Sequence, residues 1–306
     1  MISADTRLFG AVEAGGTKFV CAIGDASGRL IAEHRLATRD PASTLAETFA
    51  FLHRVESQHG RLDAIGLASF GPVDLDRRSP TYGRILKTPK PGWSQVDLVG
   101  GFTREFGARV GFDTDVNAAA CAEHRWGAAR DADTLVYVTI GTGIGGGVLA
   151  GGRPLHGLMH PEIGHVYPRR HAFDRDFAGV CPFHRDCLEG LASGPAIAAR
   201  SGAPLDRLED SHPQWDIEAD YLGQLCAQLV FTLSPQRIIL GGGVMNQARL
   251  LPMVRCQARH WLQDYLDRPE LSSGLDRYII APGLGAQSGV LGALALAIDA
   301  AEASAR

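Results

Sequence analysis

The 306-residue sequence predicts an α/β chain made of two similar halves. Three observations lead there. Short runs rich in β-branched and apolar residues alternate with longer segments of helical character. Glycine is abundant, with 37 residues, yet it clusters directly after the apolar runs, where turns and ligand loops are expected. A pattern of strand, glycine loop with threonine, strand and turn occurs at residues 9–30 and returns at 135–155, as an internal duplication would leave it.

The elements follow in order. Residues 9–12 and 19–24 read as strands around Glu13-Ala-Gly-Gly-Thr-Lys18, and residues 30–37 as a third strand after a turn at 25–28. Ser43 or Thr44 is placed to cap a helix that runs to about His59 and stops at Gly60. A strand at 64–69, a short helix near 97–107 and a strand at 109–112 complete the first half. The second half opens with a strand at 135–140, then Gly141-Thr-Gly-Ile-Gly-Gly-Gly147, residues 148–150 and a Gly151-Gly152 turn. A helix at about 217–233 precedes a strand at 237–240 and the cluster Gly241-Gly-Gly243. The end, from Gly285 to about Ala301, is an apolar helix with the character of a buried element. The expected domains are residues 1–116, completed by a C-terminal helix at 286–306, and residues 117–285.

Composition narrows the function. A hydrophobic share of 45% and a charged share of 21% predict a buried core. The net charge of −4 and the lack of a Lys/Arg block disfavour nucleic acid or an anionic membrane as partner. The sequence shows no signal-like start and no apolar stretch of the roughly 18 to 20 residues that span a bilayer, so a cytoplasmic location is expected. Cys21, Cys121, Cys226 and Cys256 are scattered and expected to be buried apolar residues, whereas Cys181 and Cys187 lie close together. That pair suits a metal better than a disulfide framework.

Cys181, His184 and Cys187, at three-residue spacing with a further His upstream, supply the four ligands of a closed tetrahedral zinc site. Glu162 and Glu189 flank this segment. In the two glycine loops, backbone N–H groups can approach a phosphate closely, Thr17 and Thr142 add hydroxyls, and Lys18 adds a charge. Gly141-x-Gly143-x-x-Gly146 matches a dinucleotide fingerprint, but a strand and a turn follow where a helix is needed. Phe112-Asp-Thr-Asp-Val-Asn117 closes a strand and opens a helix, which sets Asp115 where a hydroxyl could hand over its proton. Asn117 is expected to start or cap that helix.

Taken together, these motifs resemble the ROK family of sugar kinases, and within it the bacterial fructokinase branch, over nearly the whole chain. The resemblance rests on Glu13–Lys18, on Thr114-Asp115-Val116-Asn117, on Gly141–Gly147 and on Glu162-Ile-Gly-His165. Cys181-x2-His184-x2-Cys187 departs from the family's three-Cys pattern in the manner of that branch. Ser69–Asp74 and Tyr82–Trp93 are similar to it as well. The resemblance implies a two-domain actin-like ATPase/hexokinase (ribonuclease H-like) fold, with a cleft between the duplicated domains and a loop before residue 97 that closes on the sugar. It implies ATP-dependent conversion of fructose to fructose 6-phosphate, with Mg²⁺ alongside ATP and a structural zinc.

Carried over residue by residue, Asp115 is the general base, and Gly71, Thr114, Asp115, Glu162 and Glu189 hold the sugar. Thr114 stands where the family usually has Asn. Gly15, Gly16, Thr17, Lys18, Thr142, Gly143, Pro195, Gly242 and Gly243 bind ATP. His165, Cys181, His184 and Cys187 bind zinc, with His171 as rival for the upstream position; His156 and His160 are expected to be loop structure. A homodimer is implied. With the first strand beginning by residue 9, no DNA-binding helix-turn-helix is expected ahead of it. The alternatives are a kinase for glucose, mannose or an N-acetylated hexosamine, or a non-catalytic sugar sensor.

Overall fold

Local signals set the elements of the chain, whose residues 7–303 are described in a computed structural model. In chain order they are β1 (Leu8–Ala14), β2 (Lys18–Asp25), β3 (Leu30–Ala37), α1 (Pro41–His59), β4 (Ala64–Ser69), α2 (Leu98–Phe106), β5 (Arg109–Thr114) and α3 (Asp115–Arg125). Then come β6 (Leu135–Ile140), β7 (Ile144–Ala150), β8 (Arg153–Pro154), α4 (Leu188–Ala192), α5 (Gly194–Ser201), α6 (Gln214–Leu233) and β9 (Arg237–Gly241). The chain ends with α7 (Leu250–Leu262), α8 (Pro269–Ser272), α9 (Leu275–Tyr278), β10 (Ile279–Ile280) and α10 (Ser288–Glu302).

Two compact units result. The first takes the chain up to Arg130, returns for Pro154–His160 and is completed from Gln287 onward; the second comprises Asp131–Arg153 and Pro161–Ala286. The boundary expected after residue 116 would fall inside α3. That helix instead stays with the first unit, where it packs against α10.

Among the described residues each unit holds a five-stranded sheet, ordered β3-β2-β1-β4-β5 in one and β8-β7-β6-β9-β10 in the other. In both, a hairpin of antiparallel strands leads and parallel strands follow: β1 runs parallel to β4 and β4 to β5, as β6 does to β9 and β9 to β10. Equal order and equal sense are what an internal duplication produces. Each sheet carries its own apolar core. Phe9, Phe19, Leu52, Ile65, Leu67 and Phe102 are fully or almost fully buried in the first unit, as are Val136, Val138, Leu222, Leu225 and Ile238 in the second.

Two helix starts differ from expectation. Pro41 occupies the first turn of α1, where its missing N–H costs nothing, so the cap moves back to Asp40, whose side chain accepts from the Ser43 N–H. Helix α3 begins at Asp115 and not at Asn117, because the Thr114 hydroxyl accepts from the Asn117 N–H at 3.1 Å. The strand into it runs on through Asp113 and Thr114.

Candidate functional site

In the first unit, the turn joining β1 to β2 is closed by the Gly15 N–H donating to the Lys18 carbonyl at 3.0 Å. The Thr38 hydroxyl donates to the Gly15 carbonyl at 2.6 Å, and its N–H to the Thr17 carbonyl. Gly16, Thr17 and Lys18 are left exposed at the tip. Beside them Glu13 is largely enclosed. Burial raises its carboxyl above the ordinary range, while the Lys18 and Arg35 charges oppose that shift.

Asp115 is the first residue of α3, immediately beyond β5, and its Oδ1 accepts from the Val116 N–H at 2.9 Å. Its neighbours are tightly held. Asp113, only 3% exposed, accepts through Oδ1 from the Thr114 N–H at 2.8 Å and from Asn117 Nδ2 at 2.7 Å. Its Oδ2 lies 2.9 Å from His156 Nε2. That hydrogen bond is the leading cause that raises the His156 imidazole above its ordinary 6.5. Four residues further on, His160 Nε2 accepts from the Val73 N–H at 3.2 Å, and its ring lies against Gly71.

Several groups meet in the second unit. The Gly141 N–H donates to the Gly143 carbonyl within the β6–β7 turn, leaving Thr142 exposed. The Gly194 N–H donates to the Gly141 carbonyl at 2.8 Å. This brings the start of α5, with its Ser193 cap and Pro195 in the first turn, against the glycine loop. Gly242, at φ 91°, has no room for a Cβ against the Ile140 backbone, and Gly243 follows it exposed. Glu189 Oε2 accepts from the Ile144 N–H at 3.0 Å. A Cβ on Gly143 would sit 2.6 Å from that same oxygen, so a larger residue there would push the Glu189 carboxylate out of this position.

Glu162 is the residue immediately before the 3₁₀ turn Ile163–His165. The residue keeps exposed surface, yet desolvation first, and the Glu189 charge second, push its carboxyl up to about 7.

The Cys/His segment folds into one cluster. His165, Cys181, His184 and Cys187 offer ligand atoms that all lie within 4.8 Å of one another. His165 Nδ1 is 3.4 Å from Cys187 Sγ and 3.9 Å from Cys181 Sγ, and His184 Nδ1 is 3.8 Å from Cys181 Sγ. Tetrahedral zinc with ordinary Zn–S and Zn–N bonds sets ligand separations of about 3.3 to 3.8 Å, so the donors present fit such an ion. Paired backbone hydrogen bonds between Cys181 and Arg185 close the loop, with Arg185 at φ 58°. Its rival for the upstream position, His171, instead accepts at Nδ1 from the Phe173 N–H.

His156 and His160 lie in a loop, as expected, and both also make specific hydrogen bonds within the first unit. The separation of 43 positions between Asp113 and His156 hides that contact from any local pattern. Of the four scattered cysteines, Cys21 and Cys226 are buried as expected. Cys121 is partly exposed and Cys256 exposed, because α7 turns it away from its core-facing residues Val254 and Ala258.

The comparisons with known proteins bear on the same stretch. The chain is 44% identical over 299 residues to the fructokinase of Zymomonas mobilis, covering 97% of this chain and 98% of that one. It is 42% identical over 295 residues to the fructokinase of Streptococcus mutans, covering 95% and 98%. Among solved structures, it matches a ROK family glucokinase from Streptomyces griseus in complex with glucose and AMPPNP, at a TM-score of 0.75 and 25% identity over 95% of this chain and 99% of that one. The family model described as "ROK family" matches residues 9–300. With its duplicated sheets, paired glycine hairpins and Asp115 at the head of α3, the chain belongs to the ROK family.

Proposed function

We propose that the protein is an ATP-dependent fructokinase in which Asp115 is the general base. The observation that carries the reading is the setting of Asp115: first residue of a helix, directly beyond a strand end, between neighbours whose backbone and side chains are fixed by hydrogen bonds. A positioned carboxylate there removes the proton from the attacking hydroxyl of fructose as its oxygen bonds to the γ-phosphorus and the bond to ADP breaks. Gly15, Gly16, Thr17 and Lys18, with Thr142 and Gly143, form the phosphate-binding turns: the Gly15 N–H closes the first turn, and the residues that follow it donate to the phosphates. Pro195, Gly242 and Gly243 take the adenine side. Gly71, Thr114, Glu162 and Glu189 hold sugar hydroxyls. Mg²⁺ bound with ATP would spread the charge on its phosphates.

Fructose as the sugar is supported by the names of the relatives that align along almost the whole chain. Zinc in the Cys/His cluster would be structural: four protein ligands fill a tetrahedral ion and leave no open position. The family resemblance adds a homodimer, which light scattering on the purified protein checks.

A coupled assay with ATP across fructose, glucose, mannose and N-acetylated hexosamines tests the substrate. The highest kcat/KM is expected for fructose; a higher value for another sugar replaces it, and sugar binding without turnover turns the reading into a sensor. Asp115→Asn should lower kcat by roughly 10² to 10⁴-fold with ATP and fructose. A mutant with wild-type turnover removes Asp115 from the role.

A further inference from the structure

The segment 154–160 leaves β7 and β8 and belongs by its packing to the first unit, although the chain on both sides of it lies in the second. Its His156 side chain reaches the end of β5 that leads into Asp115. The receiving group is Asp113, an almost fully buried carboxylate two residues before the proposed base.

We propose that His156 is a positioning residue for Asp115, acting through Asp113 on the first turn of α3. This rests on the reading of Asp115 as base. The chain of contacts is short. Asp113 Oδ1 holds the Thr114 N–H and the Asn117 amide, and so ties the last strand residue to the first helical turn. The Thr114 hydroxyl holds the Asn117 N–H across the same turn. Asp115 sits inside this bracket. The bracket depends on the orientation of the Asp113 carboxylate, and the His156 N–H fixes that orientation by donating to the other oxygen, Oδ2. For this Nε2 must carry the proton, so the 3.5 Å approach of Asn117 Nδ2 to the same nitrogen adds no second hydrogen bond.

A buried carboxylate oxygen that loses its donor carries a large desolvation cost, which it relieves by rotating or by taking a proton. Either change loosens the Thr114 and Asn117 contacts together. A displacement of the base by a fraction of an ångström is enough to slow proton transfer. The segment thereby becomes more than a connector: its attachment sets the base.

Other ionisable groups respond to the Asp113 charge. Tyr82, whose ring packs edge-on against Phe112, feels the Asp113 charge, as does Cys121 further along α3. Arg77 lies over the Tyr82 ring. Burial is the leading cause that keeps Tyr82 and Cys121 above their ordinary values, so neither competes with His156 for a proton near neutrality. The sign for His156 is that of a base gaining an anionic partner. The charged pair is complete below 6.5 and weakens as pH rises through the elevated folded value.

The test uses the full-length enzyme with ATP and fructose. His156→Ala should lower kcat about tenfold or more while the fructose KM changes by less than about threefold. Wild-type kcat should show a partial alkaline decline with its midpoint above 6.5. His156→Gln donates one hydrogen bond at every pH, so it should recover most of the lost kcat and lack that decline. Unchanged kcat in a folded His156→Ala enzyme overturns the proposal. If that variant does not fold, a His156→Gln profile superimposable on wild type overturns it. Proton NMR of the His156 imidazole separates the pair from the base: the midpoint should fall toward 6.5 in Asp113→Asn. A midpoint that does not move shows that the pair is absent and the proposal fails. Wild-type turnover in Asp115→Asn defeats the base reading and the positioning role with it, while leaving the imidazole midpoint where Asp113 sets it.

Discussion

Glu162 and Glu189 are both carboxylates flanking the Cys/His segment, but their settings assign them different tasks. Glu189 spends one oxygen on the Ile144 N–H and so braces the second glycine hairpin. At Glu162, desolvation first and the Glu189 charge second push the carboxyl up to about 7. A carboxyl raised in this way lets the folded chain keep a proton that the unfolded chain has already released. Its contribution therefore lowers stability as pH rises from about 4.5 to about 7 and is level beyond. Sugar hydroxyls donate most strongly to the ionised form. The fructose KM should accordingly rise on acidification with a midpoint near 7, and if only the carboxylate binds, by roughly tenfold one pH unit below it. Glu162→Gln should abolish that midpoint. Steady-state KM measured across the window checks this, and a flat wild-type profile would remove Glu162 from sugar binding.

The Cys/His loop and helix α4 act as one element. Cys187 is the residue immediately before α4, and Glu189 lies in the helix's first turn. An ion held by His165, Cys181, His184 and Cys187 would therefore fix the direction from which Glu189 reaches Ile144. Protein purified without added zinc should carry about one zinc per chain, and stripping it should lower the melting temperature by on the order of 5 °C or more. Metal analysis and calorimetry decide it; a metal-free protein with an unchanged transition means the cluster is not a metal site. This element was legible in the sequence because its chemistry is contiguous, as were the glycine hairpins and the Asp115 segment. Contacts across distance were not. Glu189 meets Ile144 from 45 residues away and His156 meets Asp113 from 43, separations that no periodicity records. Helix α7 carries Pro252 in its first turn, where the missing N–H is harmless. At α1 the expected cap at Ser43 or Thr44 gives way to Asp40, because Pro41 takes the first helical position.

At the scale of the molecule, the first unit is assembled from both ends of the chain, and α10 is the piece that closes it. The helix packs on β1, β4, β5 and α3 and buries Val290, Leu291, Leu294, Leu296 and Ile298. The fit is close enough that a Cβ on Gly66 of β4 would overlap the Ala293 carbonyl. At about 1.5 to 3 kcal/mol for each large apolar side chain, that face contributes on the order of 10 kcal/mol. A whole domain is stable by only about 5 to 15 kcal/mol, so the first unit cannot lose α10 and remain folded. The second unit keeps its own sheet and core, with no residue drawn from the C-terminal helix. A chain ended after Ala286 should therefore lose amide-exchange protection throughout β1, β4 and β5 while β6, β7 and β9 stay protected, and it should lose turnover because Asp115 stands at the end of β5. Protection retained in β4 after the truncation would show that the first unit folds without the helix. In that case the internal duplication, and not the closing helix, is sufficient to build each half.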